Sequence, residues 1–287
     1  MDLASLFRTP DFLERISRRL SEAPCDFPST MKRIAAENGA SAVFSLSAGV
    51  LLPLCRCSAA GAPASEPGEM CFQLIKRSFR MSQPGDIGCP GGMIHPLSDR
   101  FLSLLVRSGL LPVWRRPFVP DANGFDRGTR SAIALFLSTA LRESWEEIGL
   151  PPWNVRCLGP LPTHSLTLFQ RTIFPLVGFL PKPYRPRLSG EVERLLEIPL
   201  RSFLDPSRYA DLIIELTDDV GQPDVARRRQ FPSFLVDDAE EDVLWGATFS
   251  IIVRFFKIVL DVDIVPTGDT GRTVVKKMGA EYITGRR

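Results

Sequence analysis

The stretch Leu141-Arg142-Glu143-Ser144-Trp145-Glu146-Glu147-Ile148-Gly149-Leu150 decides how the rest of the chain is read. On a helix of 3.6 residues per turn, Glu143 and Glu147 stand one turn apart with Glu146 beside them, so three carboxylates share a face. Such a face attracts cations. The other side carries Ile133, Phe136, Leu137, Ala140, Leu141 and Ile148 at mostly three- and four-residue spacing, the stripe by which a helix docks onto a core. Gly149 occupies the usual place of a C-terminal stop. A solvated acidic face is the commonest fate of such a helix. What distinguishes this one is the order Arg-Glu-x-x-Glu-Glu-x-Gly-Leu.

Upstream of this helix, which starts near Thr129, lie an irregular stretch with Pro112, Pro117 and Pro120 and a helical stretch, Arg100 to Leu110. Before them runs Pro84-Gly85-Asp86-Ile87-Gly88-Cys89-Pro90-Gly91-Gly92, whose glycines let a backbone turn sharply and approach a ligand closely. Ser41 to Cys57 and Met70 to Ser78 read as strands of a hairpin, and Pro10 to Leu20 and Ser29 to Asn38 as helices. Downstream, Asn154 to Leu161 and Thr172 to Phe179 read as strands, and Gly190 to Leu196 as a turn or short helix. Val220 to Val236 reads as a hairpin around Gly221 and Arg227-Arg228-Arg229, and Val243 to Thr248 opens a last helix toward Val259. Alternating helix and strand indicates a mixed α/β fold.

With 287 residues, 44% of them hydrophobic, the chain suffices for one large domain with additions. Lys+Arg 35 against Asp+Glu 33 gives a net charge of +2, so nothing in the bulk charge supports nucleic-acid or membrane binding. Cys25, Cys55, Cys57, Cys71, Cys89 and Cys157 follow no zinc spacing and read as free thiols in a reducing compartment. Met1 to Leu20 lacks an apolar signal core, and the apolar runs Ala42 to Cys55 and Phe249 to Leu260 are too short to span a bilayer. The expectation is a cytoplasmic protein. There is no Gly-x-Ser-x-Gly elbow and no P-loop, and His164-Ser165 has no nameable acidic partner.

The helix motif resembles the Nudix box, Gly-x5-Glu-x7-Arg-Glu-U-x-Glu-Glu-x-Gly-U with U aliphatic. Within that superfamily the chain is similar to the coenzyme A pyrophosphatase branch. Leu74-Ile75-Lys76-Arg77-Ser78, the glycine loop to Gly92, Leu158 to Thr163, Pro175 to Leu180, Glu191-Val192-Glu193, Ile198-Pro199-Leu200 and Trp245-Gly246-Ala247-Thr248 carry that likeness in order. The resemblance implies an α/β/α sandwich with a mixed β-sheet, here with an N-terminal helical extension (1–40), a Nudix domain (41–260) holding a partly helical insertion (about 97–127), and a tail (261–287). It implies Mg2+ or Mn2+ held by Glu143, Glu146, Glu147 and the Gly92 carbonyl, with Arg142 orienting a glutamate. Hard carboxylate oxygens suit such ions, which neutralise phosphate oxygens. Lys76, Arg77 and Arg80, just before the loop, would hold the substrate's phosphates. His95, just past it, is a further candidate to touch phosphate, and Asp237 to Asp242 to supply a base or ligand.

The implied activity is hydrolysis of a nucleoside diphosphate-linked small molecule, coenzyme A or acyl-CoA first, to 3',5'-ADP and (acyl-)4'-phosphopantetheine. ADP-ribose, a dinucleotide or another nucleotide sugar is the alternative substrate, and binding of a nucleotide or partner without cleavage the alternative function. Three departures stand out. Residues 93–141 separate Gly92 from Arg142, roughly 36 more than the pattern allows. The box's first glutamate falls on Ala134 in register with Arg142, with Asp99 as the other substitute. Ser144 replaces an aliphatic residue, Met81 a position often basic, and Cys89 a phenylalanine. The insertion, with Leu104, Leu105 and Trp114, would shape the substrate mouth, cover the metal, or make a homodimer contact.

Overall fold

The computed structural model describes the chain except for residues 1–2, 10, 58–67, 82, 120–123, 167–169, 217–227, 238–241, 268–269, 280–281 and 283–287. Helices α1 (Leu3–Leu6), α2 (Phe12–Glu22), α3 (Phe27–Asn38) and α4 (Ala42–Ser45) lead into β1 (Ser47–Arg56), β2 (Met70–Arg77), β3 (Ile87–Gly88) and β4 (Gly91–Met93). Then come α5 (Pro96–Arg107), α6 (Arg127–Ile148), β5 (Arg156–Pro160), β6 (His164–Leu166), β7 (Arg171–Phe179) and β8 (Val192–Pro199). The chain continues with β9 (Tyr209–Leu216), β10 (Arg228–Leu235), β11 (Val243–Leu244), α7 (Gly246–Leu260) and β12 (Thr273–Met278).

Strand β1 shows why the architecture is layered. Side chains alternate across a strand, and here both faces are apolar. Val50, Leu52 and Leu54 join the core built with α2 and α7, while Leu51 and Cys55 join the core built with α3 and α6. A sheet apolar on both faces needs a layer on each. In that sheet β3, β2, β1, β7 and β5 lie in order, with β4 also beside β1, β6 beside β7 and β8 beside β2. It is mixed: β1 and β7 run parallel, with Val50 opposite Pro175, and the other pairs run antiparallel. Helix α6 comes very close to it. A Cβ on Gly49 would stand 2.5 Å from the Phe136 carbonyl, and the Phe136 ring stacks on Phe174 at 3.6 Å.

A second sheet, ordered β11, β10, β9 and β12, packs beside the first through Phe203, in the turn after β8, whose ring stacks on Phe234 of β10 at 4.3 Å and meets Phe72 of β2 at 5.8 Å. Here the structure departs from the sequence expectations. Val192–Pro199 is strand β8, where a turn or short helix was predicted; Val-Glu-Arg-Leu-Leu-Glu suits either period, and pairing with β2 decides. The turn expected at Gly221 and Arg227 lie outside the described residues, but Arg228 and Arg229 stand on β10, opposite Glu215 and Ile214 of β9. Within the unremarkable tail, Thr273–Met278 forms β12, parallel to β9.

Cys57 and Cys71 are joined as a disulfide across the β1–β2 hairpin, which corrects the expectation of free thiols for that pair; Cys25, Cys55, Cys89 and Cys157 are free. Among the described residues no helix is long and apolar enough to cross a membrane.

Candidate active site

Helix α6 starts on a side-chain cap, Asp126 accepting from the Thr129 N–H at 2.7 Å, and ends where predicted. Gly149 adopts the left-handed conformation (φ 67°) that closes helices, donating its N–H to the Trp145 carbonyl. The connection between β7 and β8 passes over the helix end, with Arg187 and Ser189 N–H groups on the Ile148 and Glu147 carbonyls. Ser144, where the pattern has an aliphatic side chain, is fully buried and donates to the Ala140 carbonyl at 2.6 Å. That bond satisfies its hydroxyl without leaving the helix.

The glycine loop meets this helix end directly. Gly91 has φ 151° and lies against β1 so closely that a Cβ would stand 2.5 Å from the Gly49 carbonyl oxygen. Its N–H donates to Oε2 of Glu147 at 2.9 Å. A Cβ on Gly92 would fall 2.4 Å from Glu143 Oε1, so any larger residue there would push that carboxylate aside. The loop and the two glutamates are therefore fitted to each other.

Arg142 organises the arrangement from the side. Its Nε donates to Asp99 Oδ1 at 2.7 Å, Nη1 lies 2.9 Å from Glu143 Oε1 and 3.0 Å from Glu146 Oε2, and Nη2 donates to the Met93 carbonyl at 3.0 Å. Asp99 is 0% exposed and also accepts from the His95 N–H and the Thr139 hydroxyl, both at 2.8 Å. The residue supporting the arginine and the loop is thus Asp99, delivered by α5 at the start of the insertion, whereas Ala134 is buried in the core of α6. Burial works against the charge of Arg142, but the hydrogen bond it donates to Asp99 and the neighbouring Glu143 outweigh it and hold the guanidinium above its ordinary range.

The carboxylates are electrostatically frustrated. Burial raises Glu143 above the usual carboxylate range, with Arg142 opposing. Glu147, 5% exposed, is pushed up to about 8, chiefly by burial, against the Gly91 hydrogen bond and with Glu143 adding to the rise. Glu146 stays exposed on its bond to Arg142. Among the described residues no three His, Cys, Asp or Glu side chains already converge on one point. Two carboxylates nevertheless face a glycine loop that leaves room for them, with a third one turn away on an exposed side chain. All donors are hard oxygens. This set fits a hard divalent cation, which would compensate the buried negative charge.

The cationic residues ahead of the loop divide. Lys76 and Arg77 end β2 beside β3, with a register shift between them, and Arg80 is exposed on the following turn. The Lys76 ammonium lies 2.9 Å from Asp242 and 3.5 Å from Glu193, and Asp242 also binds Arg194. Burial opposes the Lys76 charge, but Asp242 and then Glu193 raise it. The Arg77 charge reaches both Glu147 and Asp86. His95 caps α5, its ring nitrogen 2.8 Å from the Ser98 hydroxyl, and His164 sits in β6 paired with β7. Of the acidic run expected to offer a base, residues 238–241 lie outside the described set and Asp242 is engaged with Lys76 and Arg194. Sequence reasoning missed the pairing of Asp242 with Lys76 and the contacts of Tyr282 and Trp245 with Asp86. No spacing signal links residues so far apart.

No family model matches the chain. It is 34% identical over 122 residues to the uncharacterized Nudix hydrolase NudL of Escherichia coli, a match spanning 42% of this chain and only 56% of that protein. Among solved structures it is similar to a Nudix hydrolase from Alicyclobacillus acidocaldarius, 18% identical with a TM-score of 0.37, over 55% of this chain and 81% of that one. It is 31% identical over 170 residues to the uncharacterized Nudix hydrolase NudL of Klebsiella pneumoniae, spanning 55% of this chain and 82% of that protein. With four-fifths of that relative matched at this identity, the chain belongs to the Nudix hydrolase family.

Proposed function

We propose that this chain is a cytoplasmic Nudix diphosphatase that cleaves the phosphoanhydride of a nucleoside diphosphate-linked small molecule, coenzyme A or acyl-CoA first. The products are 3',5'-ADP and (acyl-)4'-phosphopantetheine. The observation that carries the reading is the pair Glu143 and Glu147 drawn against Gly91 and Gly92. Glu143, Glu147, the Gly92 carbonyl and, after turning from Arg142, Glu146 would hold Mg2+ or Mn2+. When bound, the ion supplies neutralisation of phosphate charge and acidification of water.

The chain's own residues do the rest. The Gly91 N–H fixes one oxygen of Glu147, and Asp99 fixes Arg142, whose remaining donors tie Glu143 and the Met93 carbonyl together. Arg142 is thereby spent on positioning, not on substrate. Arg77 and Arg80, at the mouth of the loop, are the phosphate-holding cations; Lys76 joins them only if phosphate displaces Asp242. The coenzyme A preference rests on Leu74 to Ser78 and Gly85 to Gly92. A binder without catalysis was motivated by Ala134 in the glutamate's register, and Asp99 weakens that motive.

The test is turnover of coenzyme A, acetyl-CoA, ADP-ribose, NADH and a diadenosine polyphosphate with Mg2+ and with Mn2+, read by product mass. The expected result is 3',5'-ADP from coenzyme A as the fastest product. Faster cleavage of ADP-ribose or a dinucleotide would move the substrate. No product from any of them overturns the reading.

A further inference from the structure

Asp86 lies in the turn between Arg77 and the glycine loop, six residues before Gly92, and is held from far along the chain. Its carboxylate accepts from Trp245 Nε1 at 3.2 Å and from the Tyr282 hydroxyl. Trp245 precedes α7, and Tyr282 follows β12, the strand that adds to β9. The two rings stack at 6.3 Å, and Phe231 of β10 packs on Trp245 at 5.4 Å. Lys276 of β12 is half-buried and lies within the field of Asp86. On its backbone side, Asp86 accepts the Arg77 N–H at 2.9 Å, and the Gly85 N–H returns to the Arg77 carbonyl at 3.0 Å. The second sheet therefore grips the turn that places Arg77.

We propose that Tyr282, carried by β12, is a positioning residue of the diphosphate site: it holds Asp86 and so fixes Arg77 and the approach to Gly91 and Gly92. This rests on the diphosphatase reading above for its kinetic consequence, though not for its structural one. Burial disfavours a charged Asp86, while the Tyr282 and Trp245 donors, Lys276 and Arg77 favour it. Without the phenol, the carboxyl leans more on its charged neighbours Lys276 and Arg77, of which Arg77 is tied to the same turn. Its charge is then drawn away from the phosphates. The chain beyond α7 thus acts on the site without touching substrate.

The experiment compares wild type, Tyr282→Phe, Asp86→Asn and the double variant on the best diphosphate substrate, with hydrogen exchange of each full-length protein. Tyr282→Phe should raise KM by about tenfold, the worth of one hydrogen bond to a charged group, with kcat and the Mn2+ requirement nearly unchanged. Amides of 83–88 should exchange faster while those of α6 stay protected. In the Asp86→Asn background the further change to Phe should add almost nothing. A fall in kcat alone, equal exchange at 83–88, or additive effects in the double variant would each overturn the proposal. If the wild type cleaves no diphosphate, the functional reading fails, and the exchange comparison still decides whether Tyr282 holds the turn.

Discussion

Two charged clusters flank the glycine loop, and they are built on opposite principles. Around Arg142 the carboxylates of Asp99, Glu143 and Glu146 share one guanidinium, with Glu147 close by. Acid outnumbers base, and the surplus is what a divalent cation satisfies. Around Lys76 the cations of Lys76 and Arg194 meet the carboxylates of Asp242 and Glu193. That cluster is closed on itself. One cluster carries surplus acid and is the one proposed to take a cation; the other pairs its charges where the two sheets meet.

The largest expected effect attacks the unbalanced cluster. Glu147→Gln or Glu143→Gln should cut turnover by at least about a hundredfold, more than loss of an outer partner of a metal ligand costs, and weaken Mn2+ binding in calorimetry while the thermal unfolding temperature holds or rises. Undiminished turnover would place the chemistry elsewhere. Asp99→Ala next leaves Arg142 without its buried partner. Breaking such a pair costs roughly 3–5 kcal/mol, so the variant should unfold at clearly lower denaturant, and Asp99→Asn should lose less. A stability loss as small at Asp99 as at the exposed Glu146 would mean the Arg142 cluster has no anchor.

The balanced cluster should show itself in stability and in pH. Asp242→Asn should cost about 1–3 kcal/mol through the weakened charged bonds and leave Mn2+ affinity as it was. Because Asp242 raises Lys76 above its ordinary 10.5, the pair stabilises the fold fully below that value and loses the contribution as pH rises through the folded value. Wild type should therefore lose unfolding temperature faster than Asp242→Asn in alkaline titration above about pH 10. Parallel curves would break the pairing. The smallest effect belongs to Ser144→Ala, which removes a bond made within its own helix and should move stability by less than about 1 kcal/mol. A larger loss would show that the hydroxyl holds more than the Ala140 carbonyl.

What was legible in the sequence was local. The helix ending at Gly149, the hairpin of β1 and β2, and the strands β5 and β7 follow from periodicity and stop signals within a window of ten to twenty residues. Glu143, Glu146 and Glu147 were singled out by order alone, and Asp99 was visible as one of two positions for the box's first glutamate because it stands near that spacing from Gly92. The choice of Asp99 over Ala134 was not legible. It depends on α5 folding back beside α6, so that a carboxylate 43 positions before Arg142 reaches its Nε. Strand β12 was invisible for a related reason: Val274 and Val275 sit among lysines, and only β9 gives that segment a partner.

By itself the sequence determined that three carboxylates stand together at the end of α6, because residues one turn apart are placed by the helix they belong to. It also determined that the sheet would be covered on both faces, since β1 alternates between two apolar sets. Only the tertiary structure decided which carboxylate secures Arg142, that Lys76 is paired with Asp242 across 166 residues, and that Tyr282 reaches Asp86. Hydrogen bonds and ion pairs act over a few ångströms and are indifferent to separation along the chain. Their partners are therefore set by how the layers stack.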